Sequence, residues 1–233
     1  MEHVTSTPKH LGLILDGNRR WAKAQGLPTL EGHRKGYENL KTIALAAYDR
    51  GVSIVSAYVF STENWNRSQE EVSYLMKLLI WVAKHEVNEL HKRNVRLRVL
   101  GSRNRLSAQV LKAIDEAELK TAKNTGGTLC LCLNYGGQQE IVDGINKLLS
   151  QKVEKEITAD LFEQYLYAAD VPSVDLIVRT SGEQRLSNFM LWRAAYSELL
   201  FVDKHWPDFN EDDLDLALKE YAGRTRRFGG NTV

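Results

Sequence analysis

The sequence predicts an α/β fold: a single domain built on a mainly parallel central β-sheet with helices on both faces. Three observations carry this reading. Short apolar runs without polar alternation, such as Leu11–Leu15 and Asp175–Thr180, are what strands covered on both faces look like. These runs alternate with segments of helical period, the mark of βαβ units, whose handedness places helices on both sides of the sheet. Finally, the 233 residues include only four prolines, with no Pro/Gly/Ser-rich linker and no internal repeat, so one domain spans 1–233. Residues 1–9 and 231–233 are expected to be loosely held ends.

Taken in order, the first strand (Leu11–Leu15) ends at Asp16-Gly17-Asn18, and a helical pattern follows. A longer helix is expected from about His33 to Tyr48, stopping at Gly51. Val52–Phe60 is β-branched and aromatic, hence a strand, and it gives way to the polar stretch Ser61–Ser68. Ser68 and Glu71 have the spacing of a capping box. They open a helix of about six turns, with Val72, Leu75, Leu79, Val82, Val87 and Leu90 on its main stripe. Val95–Leu100 alternates as a strand, and Leu106–Lys123 is helical. Thr128–Tyr135 reads as a strand ending at Gly136-Gly137, with a helix over Gln138–Gln151. After Asp175–Thr180 comes Ser181-Gly182, and Asn210 caps a last helix to about Gly223.

Composition excludes several classes. An apolar fraction of 43% supports a core, and Lys+Arg 31 against Asp+Glu 30 leaves a charge of +1, which argues against a protein held to nucleic acid by its overall field. An RNA-binding module built on Arg96, Arg98, Arg103 and Arg105 lacks an aromatic platform, and alternation puts Arg96 and Arg98 on one solvated strand face. Cys130 and Cys132 are too few for a disulfide framework or a structural zinc site and read as buried reduced thiols. Met1–His10 has no apolar run resembling a secretory signal, and no stretch is long enough to span a bilayer, so a cytoplasmic location is expected.

In open α/β sheets, ligands bind beyond the carboxyl ends of the strands. Asp16, Gly17, Asn18, Arg19 and Arg20 follow the first strand, with Gly32-His33 farther on; Ser61, Thr62, Glu63, Asn64, Trp65 and Arg67 follow the second. Asn134, Tyr135 and two glycines end another, and Arg179, Ser181, Gly182, Glu183, Arg185 and Ser187 end the last. Arginine forks with Gly-bearing strand-to-helix turns hold phosphate. Carboxylates set among them suit Mg²⁺ shared with phosphate oxygens. Each feature alone has a plain structural reading: a turn, a surface ion pair, a helix cap, or packing for Trp21 and Trp65. Their recurrence at four strand ends points instead to a diphosphate site. There is no P-loop and no Gly-x-Gly-x-x-Gly, and Asn18 stands where an aspartyl-phosphate enzyme would need a second Asp.

The helix opened by Ser68 is apolar nearly all round over Val72–Ala83, because Tyr74, Met76, Leu78, Ile80 and Trp81 supplement its main stripe. Such a helix is either a central core element or the wall of an apolar tunnel.

Together these residues resemble the cis-prenyltransferase family of the undecaprenyl diphosphate synthase type, over His10–Gly230. The matching stretches are His10–Lys23, Gly32-His33-x-x-Gly36, Ser61–Arg67, Asn134–Gly137, Arg179–Asn188, Glu198 and Arg227–Gly230. The resemblance implies repeated addition of isopentenyl diphosphate to an allylic diphosphate primer such as farnesyl diphosphate, with Mg²⁺, and a tunnel whose length sets the product. It implies Asp16, Asn18 and His33 as catalytic residues. Substrate contacts would come from Gly17, Arg19, Arg20, Trp21, His33, Ser61, Thr62, Glu63, Asn64, Trp65, Arg67, Arg179, Arg185 and Ser187, and metal contacts from Asp16 and Glu198. It further implies a homodimer in which the Arg227–Gly229 tail crosses to the neighbour, and peripheral contact with the membrane that receives the lipid.

Two positions depart from the family pattern. Thr29 stands where an Arg is usual, with Arg34 a candidate to replace its charge, and Val59 is bulkier than the usual Ala near the tunnel. A non-catalytic partner subunit of the same fold is the alternative reading, and the presence of Asp16, Arg179 and Arg185 speaks against it.

Overall fold

The structure is a computed structural model that describes residues 7–226. Its elements in chain order are β1 (His10–Ile14), α1 (Asn18–Ala24), α2 (Thr29–Asp49), β2 (Ile54–Ser61), α3 (Gln69–His85), α4 (Val87–Lys92) and β3 (Val95–Leu100). There follow α5 (Ala108–Thr121), β4 (Gly127–Tyr135), α6 (Gly137–Ser150), α7 (Ala159–Glu163), β5 (Leu176–Arg179), β6 (Glu198–Phe201) and α8 (Glu211–Ala222), with 3-10 turns at Thr62–Asn66 and Trp206–Asp208. The strands form one six-stranded sheet in the order β3-β4-β2-β1-β5-β6. The pairs β1·β5, β5·β6 and β3·β4 are parallel, as the alternation of strands and helices requires. The carboxyl end of β1 lies where the chain switches from building one side of the sheet to building the other, the usual place for a ligand in such folds.

Of the described residues, 7–55, 173–184 and 193–226 form one compact unit, and 56–172 with 185–192 form a second. In the first, every residue of β1 and β5 is buried, which is why their sequences show no polar alternation. Helix α2 buries Leu40, Ile43, Ala44 and Ala47 along one stripe. It begins at Thr29, earlier than its sequence suggests, because Gly32 and Gly36 are poor helix formers kept for close packing. A Cβ at Gly32 would lie 2.1 Å from the Asn18 carbonyl oxygen. Trp206 is fully buried and donates from Nε1 to the Gly36 carbonyl at 2.7 Å, while Asn39 Nδ2 donates to the carbonyls of Trp206 and Phe209.

In the second unit, Phe60, Leu75, Val110, Ile114 and Leu133 form a cluster against which Val59, Val72, Met76, Leu79 and Ile80 pack. Helix α3 starts as expected, with Ser68 Oγ accepting from the Glu71 amide at 3.3 Å, but the Glu71 carboxylate accepts from Arg67. The expected long helix divides: α3 ends at His85, and Glu86 is both its C-cap and the N-cap of α4. Despite its nearly continuous apolar character, α3 fully buries only Glu71 and Leu75, and Trp81 is 46% exposed. Its other apolar side chains are half-buried. Cys130 and Cys132 are buried and outside any disulfide. Arg96 and Arg98 share a face of β3, as alternation requires, but instead of being solvated both pair with Asp170.

The short strand β6 and helix α7 have no counterpart in the sequence reading. β6 is a four-residue edge strand with no buried residue, too short to show a period. No described helix is long and apolar enough to cross a membrane.

Gly101 tests how tightly β3 and β4 are closed. Its φ is +146°, and a Cβ there would sit 1.8 Å from the Leu133 carbonyl oxygen. Gly101→Ala is expected to cost about 2–4 kcal/mol, a fall in Tm of roughly 4–16 °C by thermal unfolding.

Candidate active site

The first unit places a compact ionic group at the ends of β1 and β5. The parallel register pairs Ile14 with Arg179, so Asp16 and Arg179 face each other just beyond the strands. Arg179 Nη2 donates to Asp16 Oδ2 at 2.9 Å, the Gly17 amide donates to Oδ1 at 2.9 Å, and Arg20 lies 3.3 Å from Oδ1. Burial pushes the Asp16 carboxyl up, but the hydrogen bond and charge of Arg179, with Arg20 and the Gly17 amide, outweigh it and hold the group below the usual carboxylate range. The arginine side chain is 4% exposed and the aspartate 30%, so the carboxylate is the member open to a ligand.

The backbone beneath is fixed. The Asp16 carbonyl accepts from Thr180 Oγ1 at 2.7 Å and from the Trp206 amide at 3.0 Å. Gly17 has φ +106°, and a Cβ there would lie 2.1 Å from Ser181 Oγ and 2.8 Å from His205 Nδ1. Only glycine fits, by conformation and by space. Asn18 opens α1, and its Oδ1 is buried without a hydrogen-bond partner; Gly36 leaves the room it occupies, since a Cβ would approach that oxygen to 2.4 Å. His33 is buried on α2. Arg20 also reaches Glu183 at 2.9 Å, and with a side chain 46% exposed it can exchange these partners at little cost. Arg19 is exposed, and Trp21 Nε1 donates to Asp208 at 2.7 Å.

Thr29 is the first residue of α2, and Arg34, the candidate to replace its missing charge, is held by Glu31 and Glu38 on its own helix. These are surface pairs on a side chain 59% exposed, which Arg34, like Arg20, can exchange at little cost.

The second unit carries the rest. The Ser61 amide donates to Asn64 Oδ1 at 3.1 Å, closing the 3-10 turn that follows β2 with Thr62 and Glu63 inside it. Trp65 Nε1 donates to Asn134 Oδ1 at 2.7 Å, and the Arg105 guanidinium lies 4.5 Å from the indole centre. Arg67 donates to Glu71 at 2.9 Å. Glu63 accepts from Asn188 Nδ2 at 2.9 Å. Burial pushes its carboxyl up, but that bond, the backbone and the Ser61 and Thr62 hydroxyls bring it below its ordinary value. Arg185 and Ser187 are exposed on the same 185–192 segment.

Glu198, named with Asp16 as a metal carboxylate, is not brought to it within one chain. It opens β6 in register with Leu176, at the opposite end of the strands, and accepts from Arg224 Nη1 at 2.9 Å. Among the described residues no group of three or more His, Cys, Asp and Glu side chains could hold a metal ion. What Asp16 offers is one ionised, accessible carboxylate, which fits Mg²⁺ only if substrate oxygens supply most of the shell. The Arg227–Gly229 tail lies outside the described residues.

Sequence reasoning passed over the His205–Phe209 segment, which braces Asp16, Gly17, Trp21 and α2. Ser181 Oγ and His205 Nδ1 are 2.7 Å apart, beneath Gly17. With β6 unrecognised, nothing marked this stretch as following a strand. Asn134 stands in the sequence as a strand-end residue, and Asn188 only as the last letter of a motif.

Comparison with known proteins gives the family. A family described as "Putative undecaprenyl diphosphate synthase" matches residues 14–229. An isoprenyl transferase of Neisseria meningitidis is 46% identical over 229 residues, covering 98% of this chain and 92% of its own. One of Clostridium perfringens is 48% identical over 228 residues, covering 96% and 90%. Among solved structures, lavandulyl diphosphate synthase from Lavandula x intermedia, in complex with dimethylallyl diphosphate, superposes with a TM-score of 0.91 at 36% identity, over 96% of this chain and 98% of that one. A probable undecaprenyl diphosphate synthase from Campylobacter jejuni gives 0.81 at 28%, over 96% and 99%. The chain is therefore a prenyltransferase, a member of the undecaprenyl diphosphate synthase family of isoprenyl-chain-elongating enzymes.

Proposed function

We propose that the chain adds isopentenyl diphosphate repeatedly to an allylic primer, farnesyl diphosphate, giving a polyprenyl diphosphate such as undecaprenyl diphosphate. In each round the primer's C–O bond breaks and diphosphate leaves with the electron pair. The alkene of isopentenyl diphosphate attacks the freed carbon, and a proton lost from the adduct leaves a cis double bond. The observation that carries the reading is the accessible Asp16 carboxylate backed by a buried Arg179 and an exposed, adaptable Arg20.

In this reading Arg20 takes up negative charge growing on the leaving diphosphate, Gly17 keeps the backbone low enough for the phosphate to approach, and Arg179 serves isopentenyl diphosphate while fixing Asp16. Asp16 would hold Mg²⁺, which would supply further positive charge against the departing diphosphate. Glu198 stays with Arg224. The departing diphosphate takes the proton, and Asn18 and His33 assist; the buried, unpartnered Asn18 Oδ1 can accept a hydrogen bond and so orient the reacting groups. Arg185 and Ser187 hold isopentenyl diphosphate, and the Ser61–Arg67 turn orders the substrates. The growing chain runs along α3, whose half-buried apolar residues would line a tunnel. The whole chain acts as one domain, as a homodimer touching the membrane only at its surface. The apolar stripe Val142, Ile145 and Leu149, exposed on α6, is of the kind a second copy covers.

The test is incorporation of labelled isopentenyl diphosphate with Mg²⁺ and primers of different length. Incorporation is expected, and Asp16→Ala should abolish it. Arg179→Ala should lower kcat/KM tenfold or more, the effect of losing a charge-assisted hydrogen bond of about 1.5–3 kcal/mol. No incorporation with any primer, or full activity in Asp16→Ala, overturns the reading.

The depressed carboxyl of Asp16 gives a pH prediction. Because its folded pKa lies below the unfolded one, its contribution to stability is present above the unfolded value and lost as pH falls through the folded value. Arg179→Gln removes the strongest lowering influence and leaves the upward push of burial. The acid limb of the kcat/KM profile should therefore move to higher pH in Arg179→Gln than in the wild type.

Val59 packs against the cluster that includes Leu75 of α3. Val59→Ala opens space there, so chromatographic sizing should show longer products; an unaltered length rejects Val59 as a limit.

A further inference from the structure

Residues 185–192 belong to the second unit although the chain on both sides belongs to the first. This short segment is held in an unusual backbone: Ser187, Asn188 and Met190 all have positive φ, at 49°, 67° and 44°. Non-glycine residues remain in that region only where their surroundings over-determine it. Tyr58 donates its hydroxyl to the Ser187 carbonyl at 3.2 Å and stacks on the buried Phe189 ring at 4.9 Å between centroids. The Gly137 amide donates to the Asn188 carbonyl at 2.7 Å.

The Asn188 side chain does more than satisfy itself. Its Oδ1 accepts from the Gln138 amide at 2.9 Å, at the start of α6, and its Nδ2 donates to Glu63 Oε1 at 2.9 Å. An amide N–H can only donate and an ionised carboxylate can only accept, so the two partners fix which end of the amide is oxygen. The depressed carboxyl of Glu63 keeps that acceptor ionised. Gly136 completes the fit: a Cβ there would come within 2.6 Å of Thr62 Oγ1 and 2.7 Å of Asn188 Nδ2. One side chain thus ties three elements: the strained segment bearing Arg185 and Ser187, the turn bearing Glu63, Trp65 and Arg67, and the N-terminus of α6.

We propose that Asn188 is a positioning residue for the isopentenyl diphosphate arm, fixing the Arg185–Ser187 segment against the Glu63 turn through the Asn188–Glu63 hydrogen bond. This rests on the reading above that Arg185 and Ser187 hold isopentenyl diphosphate. Asn188 touches no substrate in it. Its loss lets the arm drift while the fold and the Asp16 group stay intact.

The experiment is an exchange of the pair. Asn188→Asp keeps the acceptor for Gln138 and the tolerance for positive φ, but sets a carboxylate against Glu63 with no donor between them. The KM for isopentenyl diphosphate should rise about tenfold, with the primer KM and Tm unchanged. Adding Glu63→Gln supplies the donor from the other side, and the KM should fall at least about threefold from its Asn188→Asp value, even though Glu63 lies in the substrate-ordering turn. If Asn188→Asp does not fold, Gly136→Ala displaces the same amide and should raise the same KM. Wild-type kinetics in the folded variant, a loss that Glu63→Gln does not restore, or equal rises in both KM values with a lower Tm would each overturn the assignment. Arg185→Ala separates the two levels. If it raises the KM for isopentenyl diphosphate while Asn188→Asp is silent, only the Asn188 role falls. If Arg185→Ala leaves that KM unchanged, the substrate reading falls and the positioning role with it.

Discussion

The structure turns on the contact between Asp16 and Arg179. A guanidinium only 4% exposed is costly to bury alone, and the carboxylate beside it is what makes the position tolerable. Removing one member of such a pair commonly costs about 3–5 kcal/mol, because the other is stranded. The contact is set by strand register, since Ile14 pairs with Arg179. Everything that keeps β1 and β5 aligned therefore tunes the site, including their complete burial and the Asp175 carboxylate that accepts from the amides of Lys9 and His10 at the other end of the pair. The ionic group is thus preformed, with its guanidinium buried and its carboxylate, Asp16, left accessible.

Close backbone approach is the second constraint. Gly17, Gly32 and Gly36 each stand where a Cβ would lie within 2.4 Å of Ser181 or Asn18. The Asp16 carbonyl, held from two sides by Thr180 and Trp206, cannot shift to make room. The loop after β1 is thus rigid in its backbone and adjustable in its side chains. Arg20 pairs with both Asp16 and Glu183 on the surface. That combination suits a site that binds and releases charged groups in every round of a repeated reaction.

Much of this was legible in the sequence, and what was not has identifiable reasons. Apolar runs without alternation marked β1 and β5 because strands covered on both faces hide their period, and β-branched and aromatic residues marked β2. The Asn210 and Ser68 caps were correct at their N-termini because capping is local chemistry, carried by a single side chain and an amide nearby. Local pattern misplaced the start of α2, where Gly32 opposes helix formation and tertiary packing overrides it. Pattern also ran α3 and α4 together, since Val87 and Leu90 continue the apolar stripe across the break at Glu86. Asp16 and Arg179 were found from their positions after strands. Only register showed that Glu198 lies at the far end of β6. The brace from His205 to Phe209 was invisible because its work is done by backbone amides and by tryptophan and asparagine side chains reaching far along the chain.

The Arg179–Asn188 motif shows why a continuous sequence signal need not be one structural object. Arg179 ends a buried strand and is fixed by Asp16, whereas Arg185 and Ser187 stand exposed on a segment belonging to a different compact unit. The two arginines are therefore held by different frameworks, one by strand register and the other by a strained backbone pinned by asparagine and tyrosine side chains. The strain at Ser187, Asn188 and Met190 has a place in this division of labour. It presents side chains at an angle that relaxed backbone does not offer, and it persists because Tyr58, Gly137 and Glu63 hold it in place.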